Sequence, residues 1–112
     1  MAREKFQTLT EQMFYILMCL CIECYGMDIM EKIRIMTNGR VLVGPGSLYI
    51  LLESFVIAEM IRETNVYGRR RSYIITDLGR QALLSEYERI AILTMDYKKY
   101  MLGGGNDIDE KN

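Results

Sequence analysis

Cys19, Cys21 and Cys24 are the closest group of reactive side chains in the sequence, and Cys21 and Cys24, three apart, share a helix face. That spacing suits a redox pair or part of a zinc site. The chain has no His, so a fourth zinc ligand would have to come from a carboxylate or another subunit. The residues around the thiols are apolar, where free cysteines serve as small core residues. We therefore expect no metal and no cofactor. The missing His also removes the general base of the usual nucleophilic triads and the physiological pH switch. Carboxylates are numerous, but no spacing pairs them in a recognisable pocket, and Gly44-Pro45-Gly46 lacks the Lys of a P-loop. No catalytic residue is expected.

Positive charge is the other chemistry on offer. The net charge is -1, which argues against coating nucleic acid by bulk electrostatics. Residues 61–80, however, hold five basic and two acidic side chains, and Arg69, Arg70 and Arg71 are adjacent. Three neighbouring guanidiniums repel one another unless an anion neutralises them, which points to phosphate or minor-groove contact. The alternative is a solvated loop tip, with Arg71 the first candidate for a structural role. Ser47 follows a glycine-rich turn, where a hydroxyl and free helix amides suit a phosphate, and Tyr49 offers a second hydroxyl. The plainer alternative is that Ser47 is only a cap and Tyr49 is half-buried.

These residues need elements to position them. Thr8-Leu9-Thr10-Glu11 has the spacing of a capping box, and a first helix, apolar nearly all round, is expected from there to about Cys24. After Tyr25-Gly26, the residues Ile29, Met30, Ile33 and Met36 recur at helical spacing up to a stop at Asn38-Gly39. Val41-Leu42-Val43 is a short extended stretch, and a third helix is expected from a Ser47 cap to about Ala58. Two short runs, 61–66 and 71–75, joined by Tyr67-Gly68-Arg69-Arg70, read as a β-hairpin. Thr76-Asp77 then opens a fourth helix to Met101. Its apolar stripe includes Leu83, Leu84, Tyr87, Ile90, Ala91, Thr94, Tyr97 and Met101. At 1.5 Å per residue that helix is about 37 Å long, more than one small core can cover, so part of the stripe needs another partner.

At 112 residues, half of them hydrophobic, the chain is one compact domain with at most one appended element. An odd number of clustered cysteines and no cleavable leader make the cytoplasm the expected compartment. The longest apolar run, Met13–Ile22, is about half the roughly 20 residues that span a membrane, so no membrane segment is expected.

Helix, helix, helix, hairpin, long helix is the order of a winged helix-turn-helix domain, in which the third helix enters the DNA major groove and a basic hairpin touches the flanking backbone. The class is mainly α with a small β-hairpin. Four sequence pieces add to the order: Leu9-Thr10-Glu11 with Met13-Phe14-Tyr15-Ile16-Leu17; Tyr25-Gly26; Gly44-Pro45-Gly46-Ser47-Leu48-Tyr49; and Gly68-Arg69-Arg70-Arg71-Ser72-Tyr73 followed by Thr76-Asp77-Leu78-Gly79. With these the chain resembles the PadR-like transcriptional regulators from about Leu9 to Leu84. Its brevity after Gly79 resembles the short subfamily with one C-terminal helix.

The resemblance implies a homodimeric repressor, responsive to a ligand or stress, on an inverted-repeat operator in double-stranded DNA. Residues 1–80 would form the DNA-binding domain, 81–102 the dimerisation helix and 103–112 a disordered tail. Ser47, Tyr49, Ser54, Arg69, Arg70, Arg71 and Tyr25 are the expected DNA contacts, although Tyr25 suits packing somewhat better. Leu84, Tyr87, Ile90, Ala91, Thr94, Tyr97 and Met101 would build the dimer. The short subfamily holds small hydrophobic effectors between its C-terminal helices on a tryptophan; this chain has no Trp, and Phe14, Tyr87 and Tyr97 are the substitutes.

Three departures bear on affinity. Glu53 stands where the family usually carries a basic residue, and Glu59 where it usually ends the helix with glycine. Val56, Ile57 and Ala58 replace positions that are often polar. They leave open an alternative: a protein–protein interaction module on the same fold that has lost its operator.

Overall fold

The structure, a computed structural model, describes residues 8–103. In chain order the elements are α1 (Glu11–Cys19), β1 (Cys24–Tyr25), α2 (Gly26–Met36), α3 (Pro45–Ile57), β2 (Ile61–Tyr67), β3 (Arg70–Ile75) and α4 (Asp77–Met101). The strands form an antiparallel sheet in the order β1-β3-β2. Ile16, Leu17, Leu20, Ile29, Ile33, Leu48, Leu52, Phe55, Met60 and Ile61 are the fully buried centre. The fold is therefore the expected winged helix with a long C-terminal helix. Of the expected tail, 103–112, all but Gly103 lies outside the described residues.

Three expectations about helix ends are corrected. The α1 cap is Thr10, not Thr8: its hydroxyl accepts from the Met13 amide at 3.2 Å, and the Met13 sulfur accepts from the Thr10 amide in return. With Thr10 as the cap, Glu11 is the first helical residue and Met13 takes the third position; the Glu11 carboxylate pairs with Arg40. Second, α1 stops at Cys19 instead of Cys24. Cys24 and Tyr25 pair with Tyr73 and Ser72 of β3, and the Leu20 carbonyl accepts from the Ile75 amide at 2.8 Å. A run apolar on all sides has the same periodicity whether its end is helix or buried strand, so only the distant partner decides. Third, Gly44 is the N-cap of α3 and Pro45 its first residue, leaving Ser47 inside the first turn with no capping bond. Proline's fixed φ suits a helix start, where its missing N–H has no cost.

Helix α3 ends in a Schellman turn. The Glu59 amide donates to the Val56 carbonyl at 3.0 Å and the Met60 amide to the Phe55 carbonyl at 2.9 Å, with Glu59 at φ 64. This is the left-handed position that glycine normally fills, and the chain takes that conformation without it. The hairpin turn is shorter than expected, just Gly68 and Arg69 between paired strands, with Gly68 at φ 58. A β-bulge between Glu63 and Asn65 adds twist to β2.

The start of α4 is locked over the end of α3. Thr76 caps it, accepting from the Gly79 amide at 3.1 Å while its hydroxyl donates to the Glu59 carbonyl at 2.6 Å. A Cβ on Gly79 would lie 2.1 Å from the Met60 carbonyl oxygen, so only glycine permits this approach. Beyond Glu86 no residue of α4 is buried, and the molecule extends to 64 × 34 × 21 Å.

Candidate nucleic-acid interface

The three arginines of the wing have different surroundings. Arg71 pairs with Glu63 across the hairpin at 3.6 Å. The Arg70 guanidinium lies over the Tyr25 ring, 4.2 Å from its centroid, a cation–π contact that holds both side chains. Arg69, at the turn, is exposed and has no ion-pair or ring partner among the described residues. Tyr25 is half-buried at the N-cap of α2, so packing is one of its roles.

A polar network that the sequence did not reveal anchors the wing. Thr64 Oγ1 donates to the Glu23 carboxylate at 2.6 Å and lies 2.8 Å from the buried Ser72 hydroxyl, which itself donates to Glu23 at 3.3 Å. The bulge is what turns Thr64 toward Ser72. No local spacing links Glu23 to residues 41 and 49 positions away.

Helix α3 buries Leu48, Leu52 and Phe55 and turns its other side outward. Ser47 is exposed, Tyr49 is exposed and Ser54 is half-buried. Gly26 lets α2 close on this helix, since a Cβ there would sit 3.2 Å from the Tyr49 ring. Ile50 and Ile57 are 67% and 63% exposed, and Glu53 lies between them. Tyr49, Glu53 and Val56 face Glu63 and the wing arginines across an open cleft of about 460 Å³. The structure thus brings Tyr49, Arg69, Arg70 and Arg71 to one cleft, with Tyr25 joined through Arg70; Ser47 and Ser54 do not line it.

The model of the transcriptional regulator PadR-like family matches residues 16–85, which run from the middle of α1 through the wing to the first turns of α4. The chain belongs to the PadR-like family. Its members are DNA-binding transcriptional regulators, not enzymes. A transcriptional regulator from Clostridium thermocellum has the same fold, with a TM-score of 0.71 at 23% identity over 80% of this chain and 91% of that one. A PadR family transcription regulator from Clostridium difficile gives 0.62 at 14% identity, over 80% and 97%. RosR of H. salinarum gives 0.61 at 22% identity, over 83% and 78%. No curated protein matches the chain.

The second cleft lies between α1 and α4, where Leu9 and Phe14 face Tyr87 and Ile90. Tyr97 is not part of it: ten residues further along α4, it is about 15 Å away. One protomer therefore brings together two of the three expected effector residues. The expected dimer residues lie mostly exposed along α4, with Leu84, Tyr87, Tyr97 and Met101 between 55% and 66% and Ile90 at 40%. Ala91 is half-buried, and the exposed Thr94 returns its hydroxyl to the Ile90 carbonyl at 2.9 Å.

Glu86 is a buried carboxylate that the apolar stripe concealed. It pairs with Arg89 one turn on and accepts from the Leu9 amide. Chiefly the Arg89 bond, aided by that amide, holds its pKa below the usual carboxylate range. The (i, i+3) charge spacing was the available signal. The thiols have the opposite character. Burial, then the neighbouring Cys24, pushes Cys19 up to about 11, and burial raises Cys24. Protonated thiols are poor nucleophiles and poor metal ligands. Among the described residues no cluster could hold a metal ion, and no helix is long and apolar enough to cross a membrane.

Proposed function

We propose that this protein is a dimeric repressor that holds an inverted-repeat operator with two copies of α3 and the wing, and leaves it when a small apolar effector or a stress signal changes the dimer's geometry. The observation that carries this reading is the distal part of α4. From Tyr87 onward it presents Tyr87, Ile92, Leu93, Met95, Tyr97, Tyr100 and Met101 to solvent, each more than half exposed. A monomer does not keep so large an apolar surface in water, and a two-fold partner would cover it. Residues 1–80 then act as the DNA-binding domain and 81–102 as the dimerisation helix.

Each wing offers Arg69 to phosphate directly. Arg70 reaches the backbone from its seat on Tyr25, and Arg71 supports the hairpin through Glu63. Ser47, Tyr49 and Ser54 supply hydroxyls from α3 to backbone or base edges. The spacing of the two α3 helices sets the half-site distance, about one turn of DNA. An effector bound by Phe14 and Tyr87 of one protomer, with a Tyr97 reaching it only from the second protomer, would act by preferring a dimer in which that distance is wrong; equal affinity for both dimers would change nothing. The cytoplasm is the compartment this reading requires.

The test is fluorescence anisotropy with DNA from upstream of the protein's own gene, against shuffled DNA, at two salt concentrations. Selective binding with two protomers per site is expected. Arg69→Ala/Arg70→Ala lowers affinity for every sequence and flattens the salt slope by about two charges per protomer. An unchanged slope removes the wing from the interface. A second reading, a module that binds protein instead of an operator, is favoured by the apolar outward face of α3. It predicts a specific protein partner and no DNA selectivity.

A further inference from the structure

We propose that α3 selects its DNA through thymine methyl groups, met by Ile50 and Ile57, and through a cytosine amino group, met by Glu53; this rests on the DNA-binding reading above and deepens it. In the major groove, guanine is read bidentately by Arg or Lys and adenine by Asn or Gln. The thirteen residues of α3 include none of these four types. Its outward face offers two isoleucines, 67% and 63% exposed, with a carboxylate between them. Those groups match the two remaining base signatures, the apolar C5-methyl of thymine and the N4 donor of cytosine.

Geometry and charge fit the same occupant. Ile50 and Ile57 are seven residues apart, about 10.5 Å along the helix, which covers about three base-pair steps. Arg69 and Arg70 stand on one side of this ridge and the exposed Ser47 at its start. An apolar ridge with a cationic rim suits a groove whose floor carries methyl groups and whose edges carry phosphates. Glu53 has no ion-pair partner among the described residues, although it shares a cleft with three arginines; Arg71 pairs with Glu63 instead. Its oxygens are free to accept.

The test begins with DNA that the protein itself selects from a random pool. Thymines of the selected half-site are then replaced one at a time by deoxyuridine, which removes only the methyl group, and affinity is read by anisotropy. Each contacted methyl is expected to contribute about fourfold. Ile50→Ala and Ile57→Ala should each bind thymine and deoxyuridine equally at one position, and Glu53→Gln should exchange a cytosine preference for adenine. Both isoleucines are exposed, so these variants should melt with the wild type, which serves as the folding control. Selective binding that ignores deoxyuridine at every position overturns the methyl readout and leaves the DNA reading standing. No selected sequence from a folded protein overturns the DNA reading itself and points to a protein partner for this face.

Discussion

Glu59→Gly should stabilise this protein. Glu59 sits immediately after the α3 C-cap at φ 64, and both hydrogen bonds of the Schellman turn are already formed around it. A residue with a Cβ in the left-handed region costs about 1–2 kcal/mol. Glycine removes that cost but gives the unfolded chain more freedom, an offset of about 0.4–1 kcal/mol. The net gain is therefore about 0.5–1 kcal/mol. The Glu59 side chain is exposed and has no hydrogen-bond or ion-pair partner among the described residues, and its carbonyl, which accepts from Thr76, is kept. For a domain of this size the melting temperature should rise by about 2–8 °C. Thermal melts followed by circular dichroism, at one protein concentration because a dimer's melting depends on it, would compare wild type, Glu59→Gly and Glu59→Ala. The alanine variant keeps the Cβ and should stay near wild type. A glycine variant no more stable than the alanine variant would refute the strain reasoning.

Gly79→Ala should destabilise the fold by about 2–3 kcal/mol, because the new Cβ would meet the Met60 carbonyl and push α4 off the end of α3; an unchanged denaturation midpoint would show that α4 can tilt away freely. Glu86, whose folded pKa is depressed, binds its proton less readily folded than unfolded. Its stabilisation is present above the ordinary carboxylate pKa and is lost as pH falls through the folded value. Urea midpoints should therefore separate wild type from Glu86→Gln at pH 7 and converge at acid pH; a constant gap would contradict this assignment. Under native conditions, iodoacetamide should label the half-buried Cys21 first and Cys19 last, as mass spectrometry of timed samples would show. Equal rates would mean that α1 opens more readily than its burial implies.

Much of this molecule is local in origin. The three-and-four spacing of apolar residues in α2 and α4, the glycine at the hairpin and the Asn38-Gly39 stop act within a few residues of where they stand, so they can be read along the chain. The adjacency of Arg69, Arg70 and Arg71 is visible in the same way, and so is the excess length of α4. Glu59 is instructive: its departure from glycine is plain in the sequence, yet the backbone holds φ 64 regardless, with the turn's own hydrogen bonds and those from Thr76 to the Glu59 and Met60 carbonyls set against about 1–2 kcal/mol of local strain.

Tertiary structure decided whatever depends on a partner far along the chain. The end of α1 was set by β3, since Cys24 and Tyr25 gain strand hydrogen bonds there that a longer helix would forgo. The α1 cap falls on Thr10, where hydroxyl and amide both bond Met13, while the Glu11 carboxylate pairs with the distant Arg40. Arg70 and Arg71, alike in sequence, were separated by Tyr25 and Glu63 into a stacked and a paired guanidinium, leaving Arg69 exposed. Glu86 reads as one more charge on a helix surface and became a buried anchor once α1 lay across it. Periodicity, caps and charge runs are short-range and survive translation into a string of letters; pairing energies arise between atoms that only the folded chain brings together.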